Sequence, residues 1–106
     1  MPTLLFKKKF HDAIRSGRKT QTVRLWEKCR LKEGRAYRVA GLGLMRVTRI
    51  ERVRISDLTE NDALLDGFES RKELLDELQG IYNVKSLAGK WCFRVRFDFL
   101  GDEKRN

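Results

Sequence analysis

The sequence predicts an α+β fold that is mostly β. It should be a small, partly open β-barrel, with short helices inserted after the first strand and before the last. Three observations carry this. Residues 91–100 alternate: Trp91, Phe93, Val95, Phe97 and Phe99 stand against Cys92, Arg94, Arg96 and Asp98, the mark of a strand with one buried face. A longer run, residues 44–58, also alternates until Arg49 and Glu51 fall on the face of Met45 and Val47. A bulge or sharp bend at Arg49–Arg52 would let such a strand curl. The helical patterns are few and short, so strands dominate and pair mostly antiparallel.

Taken in order, residues 3–8 read as a short first strand. Residues 10–17 read as two helical turns, with Phe10, Ala13 and Ile14 on one face and Gly17 as the stop. Residues 20–26 alternate as a strand or extended loop, placing Thr20, Thr22 and Arg24 on one face and Gln21, Val23 and Leu25 on the other. A turn at Glu33–Gly34 leads into a strand with Tyr37 and Val39 on one side, and Gly41 and Gly43 mark the next turn. After the long strand come two short helices. Thr59 caps the first and Gly67 stops it. Ser70 and Glu73 form a capping box for the second, Leu74, Leu75 and Leu78 make its stripe, and Gly80 ends it. Together they cover one barrel mouth. The last residues, 101–106, are a frayed tail.

A chain of 106 residues holds one ordinary domain, and this one, 41% hydrophobic and 37% charged, has the composition of a globular protein. With a single proline and no Ser/Gly-rich tract it shows no linker. No apolar run nears the roughly 20 residues of a membrane span, and the apolar start precedes its lysines, the reverse of a signal peptide. The expectation is a cytoplasmic protein without membrane partners. Cys29 and Cys92 lie in no CxxC motif, and His11 is the sole histidine. These residues predict reduced thiols, no metal site and no cofactor. His11 reads as a solvated or satisfied histidine.

The net charge is +9, and arginine outnumbers lysine. Such a surface attracts polyanions, and guanidinium forks suit phosphates and stack on bases. Arg46, Arg49, Arg52 and Arg54 fall on the long strand, while the acidic residues gather between Asp57 and Glu77. Arg94 and Arg96 sit on the polar side of the last strand, as an extension of the basic surface or as solvated side chains. The densest polar stretch is Gly17–Trp26, GRKTQTVRLW, with three cations, two threonines and a glutamine.

The motif GRKTQTVR resembles the G-x-K-T-x-T-x-R signature of the ASCH domain family in the PUA-like superfamily. The leading helix, the "LKEGRAYRV" strand and the helical insertion extend the resemblance over about residues 4–99. It implies a PUA-like barrel with a cleft for RNA or a nucleoside. Some small members of the family are amidohydrolases that deacetylate acetylcytidine. Their lysine, second threonine and insertion carboxylate fall on Lys19, Thr22 and Asp66. The relatives carry glutamate at the last position; aspartate keeps the charge and shortens the reach by one carbon–carbon bond.

The residues themselves allow two chemistries. As an enzyme, Thr22 supplies a hydroxyl and Lys19 a base, which needs a fall of roughly three units from about 10.4, or about 4 kcal/mol. Lys19 then lies in the loop before the strand, because positions three apart on a strand face opposite ways. As a binding site, Arg18, Lys19 and Arg24 grip phosphate, Thr20 and Thr22 donate hydrogen bonds, and Trp26 and Tyr82 stack on a base. A third reading, a protein-interaction module, uses the helical insertion as its contact surface. The oligomeric state, monomer or homodimer, stays open.

Overall fold

The structure, a computed structural model, describes residues 4–82, 87 and 89–102. It contains helix α1 (His11–Arg15), strands β1 (Gln21–Arg24), β2 (Ala36–Val39) and β3 (Gly43–Arg54), helices α2 (Glu60–Leu65) and α3 (Arg71–Tyr82), and strand β4 (Trp91–Asp102). The four strands form one antiparallel sheet in the order β1-β4-β3-β2. The long β3–β4 pair is its spine. Two register shifts, between Leu44 and Met45 and between Val47 and Arg49, break that ladder and curl the sheet into a half-barrel. The second shift centres on Thr48, just before the segment where the sequence places the bend.

Apolar side chains pack on both faces of the sheet. One core gathers Leu4, Ile14, Val39, Met45, Val47, Val95 and Phe97. The other gathers Val23, Ile55, Leu58, Ala63, Leu74, Leu78 and Cys92 beneath α2 and α3. The second core corrects the reading of the last strand. Val95 and Phe97 are buried as expected, but Trp91 is 41% exposed and Cys92, on the supposed outer face, is fully buried. Helices packed over that outer face turn a one-sided strand into a two-sided one.

Two further expectations fail. Residues 4–7 are not a strand, so α1 precedes the first strand instead of following it. Two of their carbonyls are met by side chains: Arg24 Nη2 donates to the Leu5 oxygen at 2.5 Å, and the Phe6 oxygen lies 3.2 Å from His11 Nε2. A side-chain partner satisfies a backbone carbonyl as a ladder would, and it makes His11 a satisfied, buried histidine. Gly80 does not stop α3, which runs on to Tyr82, because it does not adopt the positive φ of a helix-ending glycine. Gly17 and Gly67 do, at 81° and 92°. The caps of α2 and α3 stand where expected. Thr59 Oγ1 accepts from the Asp62 amide at 3.1 Å, with Asp62 returning the bond, and Ser70 Oγ accepts from the Glu73 amide at 3.1 Å. Among the described residues no helix is long and apolar enough to cross a membrane.

Candidate functional site

Between the N-terminal segment, β1 and the α2–α3 pair lies a cavity of about 420 Å³. Lys19, Thr22, Arg24, Asp66 and Glu77 bring polar groups to its wall; Phe6, Phe10, Phe68 and Tyr82 bring rings. Local structure explains how these meet. Gly17, at positive φ, ends α1 and releases the chain, so Lys19 sits in the loop before β1. Its backbone is pinned there by the Ala13 carbonyl at 2.9 Å, and the next amide by the Leu65 carbonyl at 2.8 Å. That second bond ties β1 to the end of α2. The end of α2 in turn presents Asp66, its C-cap, to the same cavity.

The Lys19 ammonium pairs with the Asp66 carboxylate and also donates to the Asp66 backbone oxygen at 2.7 Å. Both residues are 3% exposed. The rings of Phe10, Phe6 and Phe68 surround the ammonium at 4.8, 5.8 and 5.8 Å from their centroids. A Cβ on Gly67 would sit 3.3 Å from the Lys19 Cβ, on a backbone whose φ of 92° already favours glycine. Burial lowers the Lys19 pKa from its ordinary value, against the pull of Asp66; burial likewise raises Asp66, against the pull of Lys19. Burial thus works against both charged forms, and the contact between Lys19 and Asp66 works for both. The arrangement is therefore a buried acid–base couple held in an aromatic box.

Thr22 and Arg24 form a second couple on the same wall. Arg24 Nε donates to Thr22 Oγ1 at 3.0 Å, which leaves the threonine hydroxyl proton to be donated elsewhere. A guanidinium bonded to that oxygen also stabilises negative charge developing on it. The guanidinium lies over Phe6 at 5.0 Å and Trp26 at 5.6 Å.

The remaining sequence-predicted residues lie elsewhere. Arg18 is exposed and borders a neighbouring depression with Glu73, Asp76 and Glu77. Thr20 borders a different one, with Phe97, Asp98 and Phe99, so it does not share the cavity of Thr22 and Arg24. Trp26 is half-buried against Phe93, ring centroids 6.5 Å apart, and backs Arg24 without lining the cavity. Tyr82 does line it. Arg94 is neither free surface nor solvated. Its Nη1 donates to both Asp62 carboxylate oxygens at 3.2 Å and its Nη2 to Glu51 at 3.1 Å. Arg96 Nε donates to Gln21 Oε1 at 3.3 Å, and Gln21 Nε2 donates to Asp62 at 3.2 Å. Burial pushes Asp62 up, but the Thr59 amide, Gln21 and Arg94 outweigh it and hold the carboxyl below its usual range. This network bolts α2, and with it Asp66, onto the sheet.

Sequence reasoning missed the aromatic box and Glu77. The adjacency of Phe68 to Asp66 and the place of Phe10 on the helix face were available signals. Glu77 follows no such rule; it pairs with Lys9 and, at 3.5 Å, with Lys7, closing the N-terminal segment onto α3. Among the described residues no group of three or more His, Cys, Asp or Glu is placed to hold a metal ion.

Solved structures share this architecture. An ASCH domain from Lactobacillus crispatus JV V101 superposes with a TM-score of 0.72 at 13% identity, over 83% of this chain and 68% of its own. The chain has an ASCH-like fold. The protein EF3133 from Enterococcus faecalis V583, of the DUF984 family, aligns over 100% of this chain and 84% of its own, with TM-score 0.69 and 16% identity. The hypothetical protein PH0355 aligns over 89% and 94%, with TM-score 0.72 and 15% identity. No family model matches the sequence, and no curated protein is similar to it.

Proposed function

We infer that the cavity binds a modified nucleoside, free or as one residue of an RNA. The observation that carries this is the wall itself: four aromatic rings beside a buried Lys19–Asp66 couple and a Thr22–Arg24 couple, around a space of about 420 Å³. A flat heteroaromatic ring meets the phenyl faces, and its polar edge meets the two couples. Phosphate gripping by Lys19 fits this geometry poorly, since its charge is already matched by Asp66. The test is calorimetric titration with acetylcytidine and cytidine. Binding that disappears in Phe68→Ala and in Lys19→Met supports the reading; absence of binding to the unaltered protein by any modified nucleoside tried removes it.

The Lys19–Asp66 contact favours a second reading at the same site, hydrolysis of an amide on the base. Burial makes Lys19 easier to deprotonate and so a candidate base, Thr22 brings a hydroxyl to the same wall, and Arg24 stabilises charge on its oxygen. Water is consumed, the acyl group leaves as carboxylate and the amine is freed. Chromatography for cytidine after incubation with acetylcytidine decides it. Turnover should vanish in Lys19→Ala and Thr22→Ala, and Asp66→Glu should preserve or raise it. No turnover in any variant leaves the cavity a binding site only.

A further inference from the structure

Outside the cavity, the start of β4 carries an unusual stack. The guanidiniums of Arg52 and Arg54 each lie 4.5 Å from the centroid of the Trp91 ring. All three side chains are exposed, Trp91 by 41%. Among the described residues neither guanidinium meets a carboxylate, and the Arg54 hydrogen bond goes to the Gly89 backbone oxygen at 3.5 Å. Two like charges are thus gathered on one indole, with no acidic side chain paired to either among the described residues. By contrast the neighbouring Arg49 pairs with Glu51 at 3.2 Å.

Strand register shows where this stack leads. Arg54 faces Trp91, Arg52 faces Phe93, and Phe93 faces Arg24 across β1. Directly paired residues share one face of a sheet, so these side chains form one row. It continues through contacts already described: Phe93 to Trp26, then Trp26 to the guanidinium of Arg24, which lines the cavity. The row therefore runs cation, ring, cation, two rings and cation from the paired ends of β3 and β4 to the cavity mouth.

We propose that this row, Arg54–Trp91–Arg52 through Phe93 and Trp26 to Arg24, is a track for single-stranded nucleic acid. Its outer end holds a base and its flanking phosphates while a neighbouring nucleotide reaches the cavity. Bases stack on indole and on guanidinium planes alike, and the uncompensated charges meet phosphate. A net charge of +9 raises the rate of encounter with such a strand. The inference adds to the nucleoside reading of the cavity, and separate arms of the experiment test the two.

The probe is a labelled uridine decamer, followed by fluorescence anisotropy, beside an abasic decamer of the same length. Trp91→Ala should weaken the uridine decamer by at least about fivefold, the lower end for removal of one base stack, and Trp91→Phe should keep most of the affinity. The abasic decamer should bind more weakly than the uridine decamer. Arg52→Gln with Arg54→Gln should flatten the log–log salt slope by about 1.4, at about 0.7 for each phosphate no longer neutralised. Acetylcytidine titration of Trp91→Ala should match that of the unaltered protein. If Trp91→Ala binds the decamer as the unaltered protein does, or the abasic decamer binds equally well, the track is overturned and the stack is surface packing. If Trp91→Ala loses the decamer while no variant binds nucleoside, the track stands and the cavity reading falls.

Discussion

Replacing Asp66 with asparagine isolates the buried couple. The substitution keeps shape and the backbone carbonyl that accepts from Lys19 at 2.7 Å, but it removes the carboxylate. The ammonium, 3% exposed, then has no counter-charge in contact. Two outcomes are open to the folded chain: keep a bare buried cation, or release its proton. Release at pH 7 from a group that ordinarily titrates near about 10.4 spans about 3.4 pH units, at about 1.36 kcal/mol each. That sets a ceiling of about 4.6 kcal/mol. The aromatic faces and remaining carbonyl soften the cost, so the loss should be about 3–4.5 kcal/mol, as for other buried pairs broken on one side.

The pH dependence carries the sign. In the unaltered protein the couple holds one proton when folded, on either partner, and one when unfolded, on Lys19, so it adds no slope near neutrality. In Asp66→Asn the folded Lys19 releases its proton at a lower pH than the unfolded one, and above that release the folded lysine is neutral while the unfolded one is protonated. The unfolded state binds more protons, so stability rises with pH, by about 1.36 kcal/mol per unit, until about pH 10.4. Urea melts of both proteins between about pH 6 and pH 9 measure this. A loss below about 1 kcal/mol at pH 7, or a variant whose stability stays flat over that range, would refute the reasoning.

Phe97, 2% exposed and edge-on to Phe6 at 5.6 Å, anchors the first core; Phe97→Ala should cost about 3–5 kcal/mol by chemical denaturation. Thr59→Ala deletes the acceptor of the Asp62 amide and should cost about 1 kcal/mol in the same assay, with Thr59→Ser largely neutral. Gly43→Ala sets a Cβ 2.1 Å from the Gly101 oxygen at φ 146°, so its melting temperature should fall by several degrees, about 1–3 kcal/mol of strain. Both cysteines are free, and burial pushes the Cys92 thiol up to about 12. A thiol-specific chromogenic reagent near neutral pH should therefore count Cys29 alone in the folded protein and both after denaturation.

Local sequence determined the features that local physics sets. Alternation made β3 and β4 strands, Thr59 and Ser70 began their helices, and Gly17 and Gly67 ended theirs, since caps and left-handed turns depend on a few consecutive residues. The GRKTQTVR motif marked the region of the cavity, because its lysine, second threonine and second arginine all reach the wall. Tertiary packing decided the rest. Whether Cys92 or Trp91 is buried depends on which face α2 and α3 cover, and a strand's own period is the same either way. Residues 4–7 have strand composition, yet the side chains of Arg24 and His11 meet the carbonyls of Leu5 and Phe6. Alternation puts Thr20 beside Thr22, but Thr20 lies before the strand begins, where the period of two no longer holds. The Lys19–Asp66 contact joins positions 47 residues apart, and only folding brings such charges out of water together.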